Sequence, residues 1–195
     1  MATGFIRRVV TGHDENGKAI VISDGLAPVV NTSPLRPGYR STDVWKTTAM
    51  PIPIAREEPD PTLGPKQFVP PMGTKMRISE LPPEPEATHA MTSEQARELF
   101  AGAGHGPSLG FGQGKRHPMM HRTESVDYAI VLEGEVTMVM DDIDVVLKPG
   151  DVVVQRGTNH AWTNRSGKMA RILFILMDGR FEPELAELFK SESGH

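Results

Sequence analysis

The side chains best suited to chemistry lie in one alternating series in the second half of the chain. His121, Thr123 and Ser125 are each separated by one residue, so an extended strand would turn all three to the same face, and Asp127 continues that phase. Histidines and carboxylates exchange protons near neutral pH and bind divalent metals. The series turns apolar from Ala129 onward, which predicts a polar barrel mouth above a packed floor.

A second series of the same kind runs through His160, Trp162 and Asn164. Gln155 borders the turn that precedes it. We interpret Thr123, Ser125, Gln155 and Trp162 as substrate-binding candidates. For Trp162, stacking on an aromatic substrate and burial in a core remain equally open.

The elements that must position these residues are short apolar strands separated by turn residues such as Pro149-Gly150-Asp151. Strands this short and evenly spaced predict an all-β antiparallel barrel or sandwich. The predicted strands of this region span residues 128–132, 136–140, 145–147, 152–155, 161–163 and 170–177.

Upstream, β-branched runs at 5–11 and 18–23 flank Asn16-Gly17 and predict a hairpin. A short strand is expected at 43–48, and residues 74–81 alternate as a half-buried strand would. Residues 49–73 are rich in proline, so we expect them to wrap over the surface in extended form.

Between residues 84 and 118 the sequence predicts an insertion. Thr92 and Gln95 resemble a capping box that starts a short helix. The glycine-rich residues 102–116 lack the features of a phosphate-binding loop, so no nucleotide cofactor is expected, and they predict either a mobile lid or a plain surface cover. We expect His117, in this loop, to be exposed.

Two segments carry a family resemblance. Residues 150–164, from the Pro-Gly-Asp turn through Gly157 and His160, resemble the second sequence motif of the cupins. Residues 121–134 resemble the first motif, in which two histidines, a glutamate and a glycine recur. The chain is thereby identified as a member of the cupin superfamily, of the small single-domain type, and the resemblance implies a double-stranded β-helix, or jelly-roll barrel.

The resemblance also implies a ligand set, with departures. His121 and His160 match family histidines, whereas Thr123 replaces a third histidine and Asp127 replaces the glutamate. Two histidines and one carboxylate can hold a divalent transition metal such as Fe, Mn, Ni or Zn. Without metal, the same three residues could act as acid and base. We therefore assign His121, Asp127 and His160 both as metal ligands and as catalytic residues.

Three functions stay open: a metal-dependent oxygenase or a lyase/isomerase acting on a small organic molecule, a metal-free acid–base enzyme such as a dehydratase or decarboxylase, and a binding module without turnover. A net charge of −4 gives no reason to expect nucleic acid or an anionic membrane as partner, and the absence of cysteine excludes thiolate chemistry. We expect a soluble, cytoplasmic homodimer.

The predicted domain organisation has three parts. Residues 1–73 form an N-terminal extension whose hairpin packs on the barrel. The barrel spans 74–180 and includes the insertion at 84–118. Residues 181–195 form a C-terminal helix and tail, for which Pro183 suits the first turn.

Overall fold

The computed structural model describes residues 5–102 and 116–192, and its largest element is a six-stranded sheet. Every neighbouring pair of strands in this sheet is antiparallel. In spatial order the strands are β3 (Val29–Thr32), β4 (Arg40–Thr47), β5 (Thr74–Leu81), β11 (Ala170–Asp178), β6 (Ser125–Glu133) and β9 (Val152–Arg156). The last strand of the chain is thus central to the sheet, between β5 and β6.

A second sheet closes the barrel. It contains β10 (Ala161–Thr163), β7 (Val136–Val139) and β8 (Asp144–Leu147) in that spatial order. One buried cluster joins the two sheets, because Ile172 of the large sheet packs with Val136 of the small one. The fold is therefore the all-β double-stranded β-helix that the sequence predicts.

The N-terminal hairpin is a separate two-stranded sheet of β1 (Arg7–His13) and β2 (Ala19–Leu26). Arg8 anchors it to the rest of the chain. Its guanidinium donates a hydrogen bond to the Asp60 carboxylate and lies 5.8 Å from the centroid of the Trp45 ring. The strands that extend the barrel edge are instead β3 and β4, which continue the large sheet beyond β5.

The described chain also contains three short α-helices and one turn of 3-10 helix: α1 (Glu86–His89), α2 (Ser93–Gly102), α3 (Pro183–Glu192) and the 3-10 turn Pro61–Leu63. The capping box at the start of α2 is present, because the Gln95 N–H donates to the Thr92 hydroxyl at 3.2 Å and the Thr92 N–H donates to the Gln95 side chain at 2.9 Å. No helix of the described residues is long and apolar enough to cross a bilayer.

Most sequence-predicted strands are confirmed. The strand predicted at 74–81 is β5, and the one predicted at 43–48 lies largely within β4. The sequence analysis missed β3 and α1, which fall in segments dominated by turn residues and prolines. Nearly all of the predicted lid lies outside the described residues, so its role stays a prediction.

Gly157 is a point where the backbone requires glycine. It follows β9 with φ of +61°, in the left-handed region. A Cβ atom there would lie 2.5 Å from the Phe181 ring and 3.0 Å from the Thr123 carbonyl oxygen. The turn before His160 is therefore packed against both the C-terminal segment and the segment leading into β6.

Gly157→Ala is expected to lower the free energy of unfolding by about 2–3 kcal/mol, because it adds both backbone strain and a steric clash. Urea denaturation followed by circular dichroism measures the loss. Gly25→Ala is the matched control, since a Cβ there meets no atom within 4 Å, and it should change stability by less than about 1 kcal/mol. Equal effects of the two substitutions would contradict the packing argument.

Candidate functional site

His121 and His160 lie side by side because their backbones form an isolated antiparallel bridge. The N–H of each residue donates to the carbonyl oxygen of the other, and both bonds measure 2.9 Å. The two imidazole rings are 4.5 Å apart between centroids. Phe100 of α2 packs 4.7 Å from the His121 ring, and Trp162 packs edge-on 5.6 Å from the His160 ring.

Backbone carbonyls orient both rings. Nδ1 of His121 lies 3.0 Å from the Met119 oxygen, and Nδ1 of His160 lies 2.9 Å from the Thr158 oxygen. A carbonyl oxygen can only accept, so the Met119 contact places the proton of His121 on Nδ1. Nδ1 of His160 also lies 3.1 Å from the Gln155 amide nitrogen, and its shorter contact, with the Thr158 oxygen, favours the same tautomer. In this tautomer Nε2 is the ring nitrogen suited to metal or proton binding. The Gln155 amide donates to the Thr158 oxygen at 2.8 Å and thus supports the turn that holds His160.

Both histidines are neutral at pH 7. Burial lowers the pKa of His121 well below its ordinary value, and the adjacent His160 lowers it further. Burial likewise lowers the pKa of His160 to about 4. A neutral imidazole is the form that binds a metal ion.

Asp127 is buried on β6, where its register partners are Gln155 of β9 and Leu176 of β11. Its Oδ1 atom has no hydrogen-bond partner among the described residues. Burial raises the pKa of Asp127 to about 6, against the opposing effects of the Ser125 hydroxyl and the Arg77 charge. This carboxyl group can therefore hold or release a proton near neutral pH.

A cavity of about 290 Å³ lies inside the barrel, at the low end of the size range of small-molecule sites. His121 and Trp162 are the two sequence-predicted site residues that line it. The other predicted residues are buried behind its wall: Thr123, Ser125, Asp127, Gln155 and His160. Thr123 and Ser125 bond to each other at 2.7 Å through their hydroxyls, and their predicted contact with substrate stays a prediction.

Sequence reasoning missed the opposite wall of the cavity. Lys75, Arg77 and Ser79 of β5 line it, as does Asp43 of β4. The polar residues that alternate along the strand 74–81 were visible in the sequence, but polar residues of a half-buried strand are ordinarily expected to face solvent. In this barrel the polar half faces inward.

The predicted metal ligands fit a divalent transition metal in part. Two neutral imidazoles fixed through Nδ1, with a buried carboxylate oxygen that lacks a partner, are a suitable donor set. However, the ligating atoms of His121, Asp127 and His160 do not all lie within 4.8 Å of one another. The rings of His121 and His160 lie side by side, and metal ligation by these two histidines and Asp127 stays a prediction.

A different cluster of the described residues meets that 4.8 Å spacing, namely Glu84, His89 and His117. The hydrogen bonds of Glu84 and His117 favour a structural role for this cluster, which we call the His117–Glu84 clamp. His117 Nδ1 accepts the Met119 N–H at 3.1 Å, so the proton of the ring lies on Nε2, which donates to Glu84 at 2.9 Å. Thr163 donates to the other oxygen of the Glu84 carboxylate.

The expectation that His117 is exposed was wrong. Its side chain is buried and bonded to Glu84, three residues after the end of β5, and to Met119, two residues before His121. The partner lies 33 positions away in sequence, so no local pattern indicates the contact. His117 therefore helps to fix the backbone from which His121 projects.

The comparisons with known proteins agree with this fold. Residues 109–176 match the family model described as the Cupin domain. "Phomopsin biosynthesis cluster protein D" of Diaporthe leptostromiformis is 50% identical over 64 residues, covering 32% of this chain and 34% of that protein. The cupin-domain-containing oxidoreductase fogC of Aspergillus ruber is 40% identical over 74 residues, covering 36% of each. The chain matches about a third of the length of these relatives.

Similar solved structures include an ethanolamine utilization protein q from Salmonella typhimurium, with 9% identity and a TM-score of 0.42 over 91% of this chain and 99% of that one. The Cupin domain of Cnp3 from Schizosaccharomyces pombe has 10% identity and a TM-score of 0.41 over 95% and 93%. The match to the Cupin domain covers residues 109–176, about a third of the chain, and the strand order of the two sheets agrees with a double-stranded β-helix.

Glu84→Gln is expected to lower the free energy of unfolding at pH 7 by about 1–3 kcal/mol, because the amide has one acceptor oxygen for two donors, His117 and Thr163. The hydrogen bonds from His117 and Thr163 lower the pKa of Glu84 below its ordinary value despite burial. Its stabilising effect is therefore present above about pH 4.5 and is lost as pH falls through the lowered value. Urea titrations from pH 3 to 7 should show that the difference in the free energy of unfolding between Glu84→Gln and the wild type becomes smaller as the pH falls.

Glu86→Gln is the control for this clamp, because Glu86 is exposed in the first turn of α1, and it should leave stability nearly unchanged. A chelator should not alter the melting temperature of the wild type through this cluster. If zinc raised the melting temperature of wild type and not of Glu84→Gln, the cluster would be a metal site rather than a hydrogen-bonded clamp.

Proposed function

We propose that this chain is a metal-dependent cupin enzyme that transforms a small organic molecule inside the barrel. The observation that carries the proposal is the position of His121, which lines the cavity and touches His160 through its ring. The relatives named cupin-domain-containing oxidoreductases support an enzymatic role of this class. Oxidation and lyase or isomerase chemistry are both within the range of such a site.

The residues of the chain have separate tasks in this proposal. His121 and His160 hold the metal through Nε2, and their Nδ1 bonds to backbone carbonyls keep the rings in place. A bound divalent metal supplies Lewis-acid or redox chemistry at the cavity wall. Trp162 and Phe174, in edge contact at 5.3 Å, provide an apolar surface for the substrate body and exclude water. Asp127 completes the ligand set or exchanges a proton.

Metal-free acid–base catalysis is the second candidate. The unpartnered oxygen of Asp127 and its pKa of about 6 favour it, because a general acid or base works best when its pKa lies near the working pH. Metal content separates the two candidates, since this second mechanism needs no ion and the first one fails without it.

Untagged protein is expected to bind one divalent transition metal per chain, measured by elemental analysis and by titration of the chelator-treated protein. His160→Ala should weaken binding by at least about 100-fold, because it removes one of two converging ligands. Asp127→Asn tests the third ligand: weakened binding assigns Asp127 to the metal, and unchanged binding removes it from the ligand set.

His13→Ala is the matched control, because His13 lies exposed in the N-terminal hairpin, and it should bind metal as the wild type does. A wild type that binds no metal at this site would exclude the metal-dependent enzyme and leave the acid–base candidate.

We also propose that the chain pairs with a second copy of itself. The outer face of the large sheet exposes a continuous apolar surface on β6 and β9, where Tyr128 is the register partner of Val154. Exposed apolar residues on this face are Tyr128, Leu132, Val152 and Val154. Exposure of such an apolar patch to water is unfavourable, and pairing of two identical faces across a two-fold axis would bury it.

Light scattering at micromolar concentrations should give twice the mass of one chain. Val154→Glu is expected to yield a folded monomer, because it places a charge in the centre of the apolar face. Ile54→Glu is the control, since Ile54 is 86% exposed and lies in the proline-rich segment away from this face. A wild-type mass of one chain at all concentrations would contradict the proposed dimer.

A further inference from the structure

One strand of the barrel turns its polar side chains inward. Along β5, Lys75, Arg77 and Ser79 line the cavity, and the alternating Met76 and Ile78 lie on the other face. The described cavity wall carries four cationic side chains against two anionic ones. The cationic residues are Arg36, Lys66, Lys75 and Arg77, and the anionic ones are Asp43 and Glu98.

Arg77 is the cation of this wall that lies between two aromatic rings. Its guanidinium lies 5.0 Å from the ring centroid of Phe68 and 5.1 Å from that of Phe174, so aromatic rings flank it. Register explains one of these contacts, because Phe174 of β11 pairs directly with Arg77. The buried Nε atom of Arg77 has no hydrogen-bond partner among the described residues.

The carboxylate that pairs in register with Arg77 is also bound by a second cation. Asp43 is its register partner on β4, yet its Oδ2 atom lies 2.9 Å from the Lys75 ammonium. That ammonium also donates to the Gln67 carbonyl oxygen at 3.0 Å. Asp43 is thus shared by Lys75 and Arg77, and Asp127, whose carboxyl group also senses the Arg77 charge, does not line the cavity. The described wall therefore keeps an excess of cationic over anionic side chains. An uncompensated charge in such a place is costly unless a ligand supplies the opposite charge.

Aromatic side chains connect Arg77 with the histidine pair. Phe174 touches Arg77 on one side and Trp162 on the other, and Trp162 in turn touches His160. The wall therefore offers an anion-binding group, then an apolar surface, then His121, with His160 packed behind it. A molecule with the same order of groups would contact all three parts at once.

We propose that the cavity takes an organic acid, whose carboxylate binds Arg77 and whose apolar, conjugated body lies along Phe174 and Trp162 toward His121. This assignment of a substrate class rests on the proposed function. A guanidinium matches the planar carboxylate through two parallel hydrogen bonds. A cavity of about 290 Å³ with aromatic walls fits an acid of roughly benzoate to naphthoate size.

The test compares carboxylates with their neutral amides, which have almost the same shape. Calorimetric titration of the full, chelator-treated chain uses five pairs, from acetate and acetamide through benzoate and cinnamate to the two naphthoates with their amides. Removing metal beforehand ensures that no ion holds the carboxylate. At least one aromatic carboxylate should bind at least tenfold more tightly than its amide.

Variants then assign the preference to one residue. Arg77→Met keeps an unbranched stem between Phe68 and Phe174 and should abolish the carboxylate preference, whereas Arg77→Lys should keep part of it because the charge remains. Arg36→Met is the matched control: Arg36 also lines the cavity and lies 4.3 Å from the Tyr39 ring, and its loss should leave the preference within about twofold. Circular dichroism and melting curves verify that each variant folds.

The proposal is overturned if no carboxylate in the series outbinds its amide in the wild type, a result that does not depend on any variant. A preference that survives Arg77→Met or disappears in Arg36→Met also overturns it. The metal titration reports separately on the proposed function: a chain that prefers carboxylates and binds no metal keeps the organic-acid site and loses the metal-dependent enzyme.

Discussion

Two backbone hydrogen bonds between His121 and His160 determine how the candidate site is built. These residues are separated by the strands β6 to β9, so the bridge forms only when the barrel has closed. Because it joins the segment before β6 to the segment before β10, the same contact that aligns the two sheets also sets the imidazoles 4.5 Å apart. The glycine turn at Gly157 and the clamp of His117 on Glu84 support this contact from either side. The chemistry of the site thus depends on the closure of the fold.

The polar interior imposes a second requirement, because ammonium groups inside a barrel need acceptors. The proline-rich segment meets it. Lys46 donates to the Pro65 carbonyl oxygen at 2.8 Å, and Lys75 donates to that of Gln67 at 3.0 Å. An extended segment with few internal hydrogen bonds has carbonyl oxygens to offer, whereas a paired strand would already have used them. The segment that sequence analysis interpreted as a surface wrap therefore also satisfies buried charges.

Sequence alone predicted the strands well because alternation and turn residues are local signals. Residues 74–81 were identified as a strand with the correct ends, and the series from His121 to Asp127 is buried in phase, as alternation requires. The same alternation could not reveal which face of β5 is inside. Arg77 lines the cavity only because β4 and β11 flank β5, a fact of tertiary pairing. The contact of His117 with Glu84 was missed for the same reason.

The residues that line the cavity come from two parts of the chain, one inside the matched domain and one outside it. The family match begins at residue 109 and ends at 176, so it contains His121, Trp162 and Phe174. The charged wall lies outside it, because Asp43, Lys75 and Arg77 come from β4 and β5. A segment outside the matched domain can change its side chains without moving the histidine bridge. If the substrate is an organic acid, its carboxylate would therefore be recognised outside the matched domain, whereas its apolar body would meet Trp162 and Phe174 within it.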